Sequence, residues 1–130
     1  MSARMRSIRG KDTKPELLLA AILREAGIPY RTQERVNGVI VDFVIGDHIL
    51  VFVDSPFWHL RSPDLLDRLS PYWCSRLIRN RARDLRQARF LRRCGHIVVR
   101  IWSDDVEATR VTRRIRRVMT VSRRRHGVVG

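Results

Sequence analysis

Helix, three-strand meander, helix, strand, helix is the order the sequence predicts, which makes this a mixed α/β domain. Three observations carry that expectation. Two β-branched, apolar runs at residues 39–45 and 48–53 are separated only by the turn pair Gly46-Asp47, so they pair antiparallel. A further run at 96–102 (HIVVRIW) arrives only after a long helical stretch, and a strand reached through a crossover helix pairs in parallel, which makes the sheet mixed. No linker interrupts the 130 residues, a length that suits one domain with a core of its own.

Residues 1–12 (MSARMRSIRGKD) read as a basic arm. Thr13 opens the first helix: in TKPE the threonine is the N-cap, Pro15 lies in the first turn, and Glu16 three residues on completes a capping box. The run from Leu17 to Leu23 is apolar all round, so the helix is expected to be mostly buried before Gly27 ends it. Residues 30–36 form a first strand, and Asn37-Gly38 is a pair that tolerates the positive φ values of a tight hairpin turn. The segment 55–71 holds Pro56, Pro63 and Pro71 and reads as a loop. From 72 to 94 a long helix is expected, with Trp73, Leu77, Leu85, Ala88 and Leu91 near core spacing and arginines around the remainder, until Gly95 stops it. After the fourth strand, Ser103-Asp104-Asp105 is expected to cap a last helix reaching about residue 121. The organisation is therefore an arm (1–12), one domain (13–121) and a basic, frayed tail (122–130).

Charge sets the partner. Lysine and arginine number 27 against 13 acidic residues, for a net charge of +14. Lysine stands only at positions 11 and 14, so 25 of the 27 are arginine. Such a balance calls for a polyanion, and arginine forks onto phosphates and base edges. A nucleic acid is the expected partner. Cys74 and Cys94 have no CxxC or metal-site spacing and are expected as buried free thiols in a reducing compartment. With no secretory segment and no apolar run near the ~18 residues a membrane span needs, the chain is expected to be cytoplasmic, where the nucleic acid is.

Two acids interrupt the apolar runs. Asp42 is flanked by Ile40, Val41, Phe43 and Val44, and Asp54 ends the next strand, positions where a strand would sooner bury valine. Paired across one turn, they can bring hard oxygen ligands to one place, and the main-chain carbonyl of Val53 can join them around a divalent metal ion for phosphodiester hydrolysis. His59 follows five residues after Asp54, and an imidazole beside such a site suits a general base. Glu16 is explained by the capping box and is also available to the site. Asp47 is turn chemistry. Phe57 and Trp58 are adjacent, so in an extended segment they would face opposite ways; paired apolar wedges of this kind unstack base steps. Met5 in the arm is a third candidate wedge. The arginines of the long helix read as phosphate contacts, while His48, His96 and His126 show no partner in sequence.

Taken together these residues resemble the very-short-patch-repair DNA mismatch endonucleases, a branch of the restriction-endonuclease-like superfamily. The resemblance runs from Met5 to about Trp102 and rests on MRSIRGKDTKPE, VDFV at Asp42, VFVDSPFWH at 51–59, WCSRLIRNRARD at 73–84 and GHIVVRIW at 95–102. It implies a restriction-endonuclease-like mixed sheet and a Mg²⁺-dependent enzyme that cuts one strand of duplex DNA beside a T·G mismatch. It implies that Asp42 and the Val53 carbonyl bind metal, His59 activates water and Glu16 holds metal-bound water. It implies also that Met5, Phe57 and Trp58 wedge into the DNA. On the helix, Arg76, Arg79, Asn80 and Arg83 are the expected DNA contacts. Where relatives often place ligands of a structural zinc, this chain has Pro56, Arg61, Pro63 and Asp104, so no structural zinc is expected. Asp54 stands where well-known members have histidine and is expected to be a second direct metal ligand. Two other readings share these features: a DNA nuclease of defence or recombination without mismatch dependence, and a non-catalytic DNA-binding module.

Overall fold

The computed structural model describes residues 13–126. In chain order it contains α1 (Lys14–Glu25), β1 (Arg31–Val36), β2 (Val39–Ile45), β3 (Ile49–Asp54), a 3₁₀ helix (Pro63–Arg68), α2 (Pro71–Arg93), β4 (Ile97–Trp102) and α3 (Ala108–His126). The strands form one sheet in the order β1-β2-β3-β4. β1, β2 and β3 are antiparallel neighbours, and β4 runs parallel to β3 from Ile49↔Ile97 to Asp54↔Trp102. This is the expected mixed sheet, with α2 as the crossover. The turn chemistry is also as expected: Asn37 and Gly38 both take positive φ, 49° and 84°, the combination a type I′ hairpin turn requires.

Alternation along the strands sends side chains to two cores. On one face Phe43, Ile45, Ile49, Val51, Val99 and Ile101 pack with Leu19, Ile22 and Leu23 of α1 and with Val111 and Ile115 of α3. On the other, Val41, Val44, Leu50, Phe52 and Val98 pack with Ala88 and Leu91 of α2. The sheet is thus covered on both sides, which is why β3 reads as continuous apolar sequence.

Several expectations need correction. α1 buries Leu19, Ala20, Ile22 and Leu23 but leaves Leu17 and Leu18 half exposed, because only one sheet face is available to it. In α2 the buried stripe is Leu77, Asp84, Ala88 and Leu91. Trp73 and Leu85 lie off that stripe and are exposed. The 55–71 segment is not all loop, since Pro63–Arg68 forms a 3₁₀ helix and Ser70 caps α2 by accepting from the Trp73 N–H. The last helix begins later than the Ser103-Asp104-Asp105 signal suggests. Glu107 caps it, its carboxylate accepting from the Thr109 and Arg110 N–H groups, and these bonds hold that carboxyl below its usual value. The helix also continues to His126, past the expected end at residue 121. Neither thiol is fully buried: Cys74 is half-buried with its Sγ donating to the Leu66 carbonyl, and Cys94 is exposed. Among the described residues no helix is long and apolar enough to cross a membrane.

The corrected stripe is testable. Leu77→Ala should destabilise the protein by about 2–5 kcal/mol, the range for emptying a fully buried leucine site. Leu85→Ala should stay within about 0.5 kcal/mol. Urea unfolding of the two variants checks this, and equal losses would restore Leu85 to the core.

Candidate active site

The acids converge where the β1–β2 pairing is interrupted opposite Asp42, with the register the same on either side. Thr32 faces Phe43 and Glu34 faces Val41, which leaves Gln33 and Asp42 in the gap between those pairs. Gln33 takes φ 50° there, a left-handed conformation that costs a non-glycine residue free energy. A strand residue and the one two further on normally share a face, yet Val41 packs in the α2-side core and Phe43 in the α1-side core. β2 therefore rolls over at Asp42. The β2–β3 ladder stops at Phe43↔Val51, and the Asp42 side chain replaces the missing ladder bond: the Val53 N–H donates to Oδ2 at 2.8 Å. In an extended residue N–H and C=O point to the same side, so the Val53 carbonyl also opens toward Asp42.

Glu16 joins from the first turn of α1. The expected N-cap, Thr13, makes no side-chain cap hydrogen bond. Glu16 instead faces the sheet, where Gln33 Nε2 donates to Glu16 Oε1 at 3.4 Å and to Asp42 Oδ1 at 3.5 Å, the outer range of hydrogen bonding. Gln33 thus bridges two carboxyl groups, a role that sequence gave no reason to assign.

Asp54 is nearly buried, 5% exposed, and its parallel partner is Trp102. Arg100 Nη1 donates to both of its oxygens at 2.9 Å, and the same guanidinium lies 4.5 Å from the centre of the Phe52 ring. On its other side Asp54 Oδ1 is 3.7 Å from His59 Nε2. His59 Nδ1 is hydrogen-bonded to Asp84 Oδ2. Asp84, buried in the middle of α2, is the partner that sequence reasoning missed; NRARD had been noted as a motif without a role for its last residue.

Electrostatics separates the acids. Burial pushes the Asp42 carboxyl above its usual value, and the charge of Asp54 adds to this; the bonds from Val53 and Gln33 and the charge of Arg100 pull the other way without prevailing. Burial would likewise raise Asp84, but the hydrogen bond and charge of His59, with Arg100 and Arg83, outweigh it and hold that carboxyl below the usual range. Asp84 is therefore the ionised acceptor, to which the imidazole donates from Nδ1, and the Nε2 edge of the ring faces Asp54.

The loop carrying His59 is braced from two sides. Arg81 Nη1 donates to the His59 and Leu60 carbonyls at 3.4 and 3.2 Å. Arg61 donates to both Asp104 oxygens at 2.8 and 3.0 Å and lies over the Trp102 ring. Because residues 56–60 turn rather than extend, Phe57 and Trp58 do not face opposite ways; their rings meet edge to face with centroids 5.1 Å apart. Trp73 extends the group, 6.2 Å from Phe57 and 5.7 Å from Trp58, and Tyr72 follows. Trp58, Tyr72 and Trp73 remain exposed. On α2, Arg76, Arg79, Asn80 and Arg83 stand at i, i+3, i+4 and i+7, one helix face. Met5 lies outside the described residues.

The other three histidines do have partners. His48 and His126 stack with centroids 3.5 Å apart, and His96, 6.1 Å from His48, bonds Asn37. Burial, with the charges of His48 and His126, lowers the His96 pKa. Among the described residues no group of three or more His, Cys, Asp or Glu is arranged to hold a metal ion. At the sheet end the Asp42 and Asp54 carboxylates and the Val53 carbonyl could together offer oxygen ligands of the kind a hard divalent cation takes. The upward push on Asp42 from its carboxylate neighbour is the strain such a cation would relieve.

The mixed sheet, three antiparallel strands with a fourth added in parallel through a crossover helix, is a restriction-endonuclease-like fold. The fold matches the catalytic domain of homing endonuclease I-Bth0305I with a TM-score of 0.62 and 22% sequence identity, over 85% of this chain and 98% of that one. Residues 1–64 match the family described as DNA mismatch endonuclease Vsr. Type II nicking enzyme V.HpaIIP of Haemophilus parainfluenzae is 32% identical over 105 residues, 77% of this chain and 74% of the relative. V.NmeDIP of Neisseria meningitidis serogroup C is 33% identical over 108 residues, 78% and 72% of the two chains. DNA mismatch endonuclease Vsr of Escherichia coli strain K12 is 29% identical over 105 residues, 78% and 67%. The chain belongs to the Vsr family, and it is a DNA endonuclease.

Since Asp42 keeps its proton to higher pH when folded than when unfolded, folding stability falls as pH climbs from the usual 3.8 to the raised value and carries the full cost above it. Asp42→Asn retains an acceptor for Val53 and removes the charge. Its thermal midpoint at neutral pH should exceed that of the wild type, with the gap closing below about pH 4. A midpoint lowered at neutral pH would contradict this electrostatic reading.

Proposed function

We propose that this endonuclease nicks one strand of duplex DNA beside a T·G mismatch, using Mg²⁺ held by Asp42, Asp54 and the Val53 carbonyl. The observation that carries the reading is the alignment Asp84–His59–Asp54, which presents the Nε2 edge of the imidazole at the carboxylate cluster. A divalent cation held there supplies Lewis-acid polarisation of the scissile phosphate. His59 Nε2 takes the proton of the attacking water. Asp84 fixes the tautomer that makes this possible and, with Asp54 on the opposite side, stabilises the imidazolium that forms. Glu16 orders water through its place beside Gln33 and Asp42.

Mismatch selection rests on the aromatic group of half-buried Phe57 and exposed Trp58 and Trp73, whose rings suit insertion at a weakened base step. Met5 is assigned to the same wedge. The α2 face of Arg76, Arg79, Asn80 and Arg83 holds the duplex by its phosphates. An intact base, its orienting carboxylate and the acid cluster favour a working nuclease over a non-catalytic DNA-binding module.

A Mg²⁺ nicking assay on matched, T·G and other mismatched duplexes tests the proposal. Asp42→Ala and His59→Ala should each slow nicking of the T·G duplex by about 10²-fold or more; wild-type rates in either variant would sink the mechanism. Asp84→Asn should lower kcat with little change in KM, and Asp84→Glu should recover part of the loss, which a purely structural role for Asp84 would not produce. Replacing Phe57 and Trp58 together by alanine should erode T·G preference more than affinity for matched DNA. Equal losses would remove the wedge from the account.

A further inference from the structure

Asp54 has a prior claimant. Arg100 engages both carboxylate oxygens at 2.9 Å, and its side chain is 26% exposed while that of Asp54 is 7% exposed. The guanidinium therefore stands on the solvent side of the acid, supported from beneath by the Phe52 ring. Arg114 holds the Arg100 backbone by donating to its carbonyl at 2.8 Å, so any exchange of partners at this residue falls to its side chain. A carboxylate whose two oxygens both accept from a guanidinium has lost much of the charge and lone-pair access that a cation needs.

We propose that Arg100 is a positioning residue that keeps the cation site weak until DNA arrives: it competes with the divalent cation for Asp54, and a bound DNA phosphate gives the guanidinium another anion to pair with. The inference rests on the metal site assigned above. Metal loading and DNA binding are then coupled through one side chain, and by linkage the coupling acts in both directions. A protein so arranged is poor at holding metal when it has no substrate. Its acid cluster is neutralised internally by Arg100 when DNA is absent and by the cation when DNA is present.

Mn²⁺ binding to the full-length, DNA-free protein, followed by electron paramagnetic resonance, tests this without turnover. Arg100→Gln should bind Mn²⁺ at least about tenfold more tightly than wild type, a conservative expectation for removing a unit charge a few ångströms from the site. Arg100→Met, which keeps an apolar stem over Phe52, should do the same and serves if the glutamine variant folds poorly. In an Asp54→Asn background the Arg100 substitution should give no gain. Unchanged or weaker Mn²⁺ binding in both Arg100 variants overturns the inference, as does a gain that persists without Asp54. Asp42→Asn separates the two levels: if it binds Mn²⁺ as wild type does, the assigned metal site itself is wrong and this inference falls with it. If Asp42→Asn loses Mn²⁺ while the Arg100 variants match wild type, only the competition is refuted.

Discussion

The parallel pairing of β3 with β4 constrains almost everything else in the molecule. Two parallel neighbours cannot be joined by a hairpin, so the chain leaves β3 at Asp54, crosses one face of the sheet as α2 and returns at Ile97. That single route places Arg100 beside Asp54, two strands' ends together with Trp102, and the buried stripe of α2 against the segment that follows β3. Asp84 lies on that stripe, and His59 lies in that segment. The histidine–aspartate pair is thus a product of the crossover.

A second constraint is local and works against stability. Asp42 sits where β2 rolls over, with Gln33 opposite in a left-handed conformation, and its carboxyl is raised by burial and by Asp54. Both features cost folding free energy, and neither is needed by the sheet. They are tolerated because two apolar cores close over the sheet from either side. Strain and unfavourable charge gather at the place proposed for the cation and the phosphate, as expected where preorganisation matters more than stability.

Much of this was legible in the sequence, and the illegible parts share a physical reason. The strands and turns were readable because Asn37-Gly38 and Gly46 can adopt conformations that few residues accept, and the apolar runs between them leave little choice of pairing. Asp42 was readable because a carboxylate among Ile40, Val41, Phe43 and Val44 is costly to bury without purpose. Asp84 was not, since an acid in an arginine-rich helix looks like one more surface ion pair until the crossover sets it against His59. Arg100 gave no sign of its partner, which is 46 residues away in the chain. Glu16 was assigned to a capping box by spacing, and Trp73 and Leu85 to the core by periodicity. In each case tertiary geometry overruled a local pattern: α1 turns its first acid to the sheet, and α2 is wider than the surface it covers.

The roll at Asp42 reaches beyond catalysis. β1 is an edge strand, and an edge offers a row of unpaired N–H and C=O groups on which a foreign strand can dock. Here that row is broken midway at Gln33, whose left-handed backbone turns it aside, and Arg31, Glu34 and Arg35 set charge along what remains. A strand approaching β1 finds no straight stretch longer than two or three residues. The irregularity that turns the Asp42 carboxylate inward also keeps a sheet-built protein from growing by adding strands to its own edge.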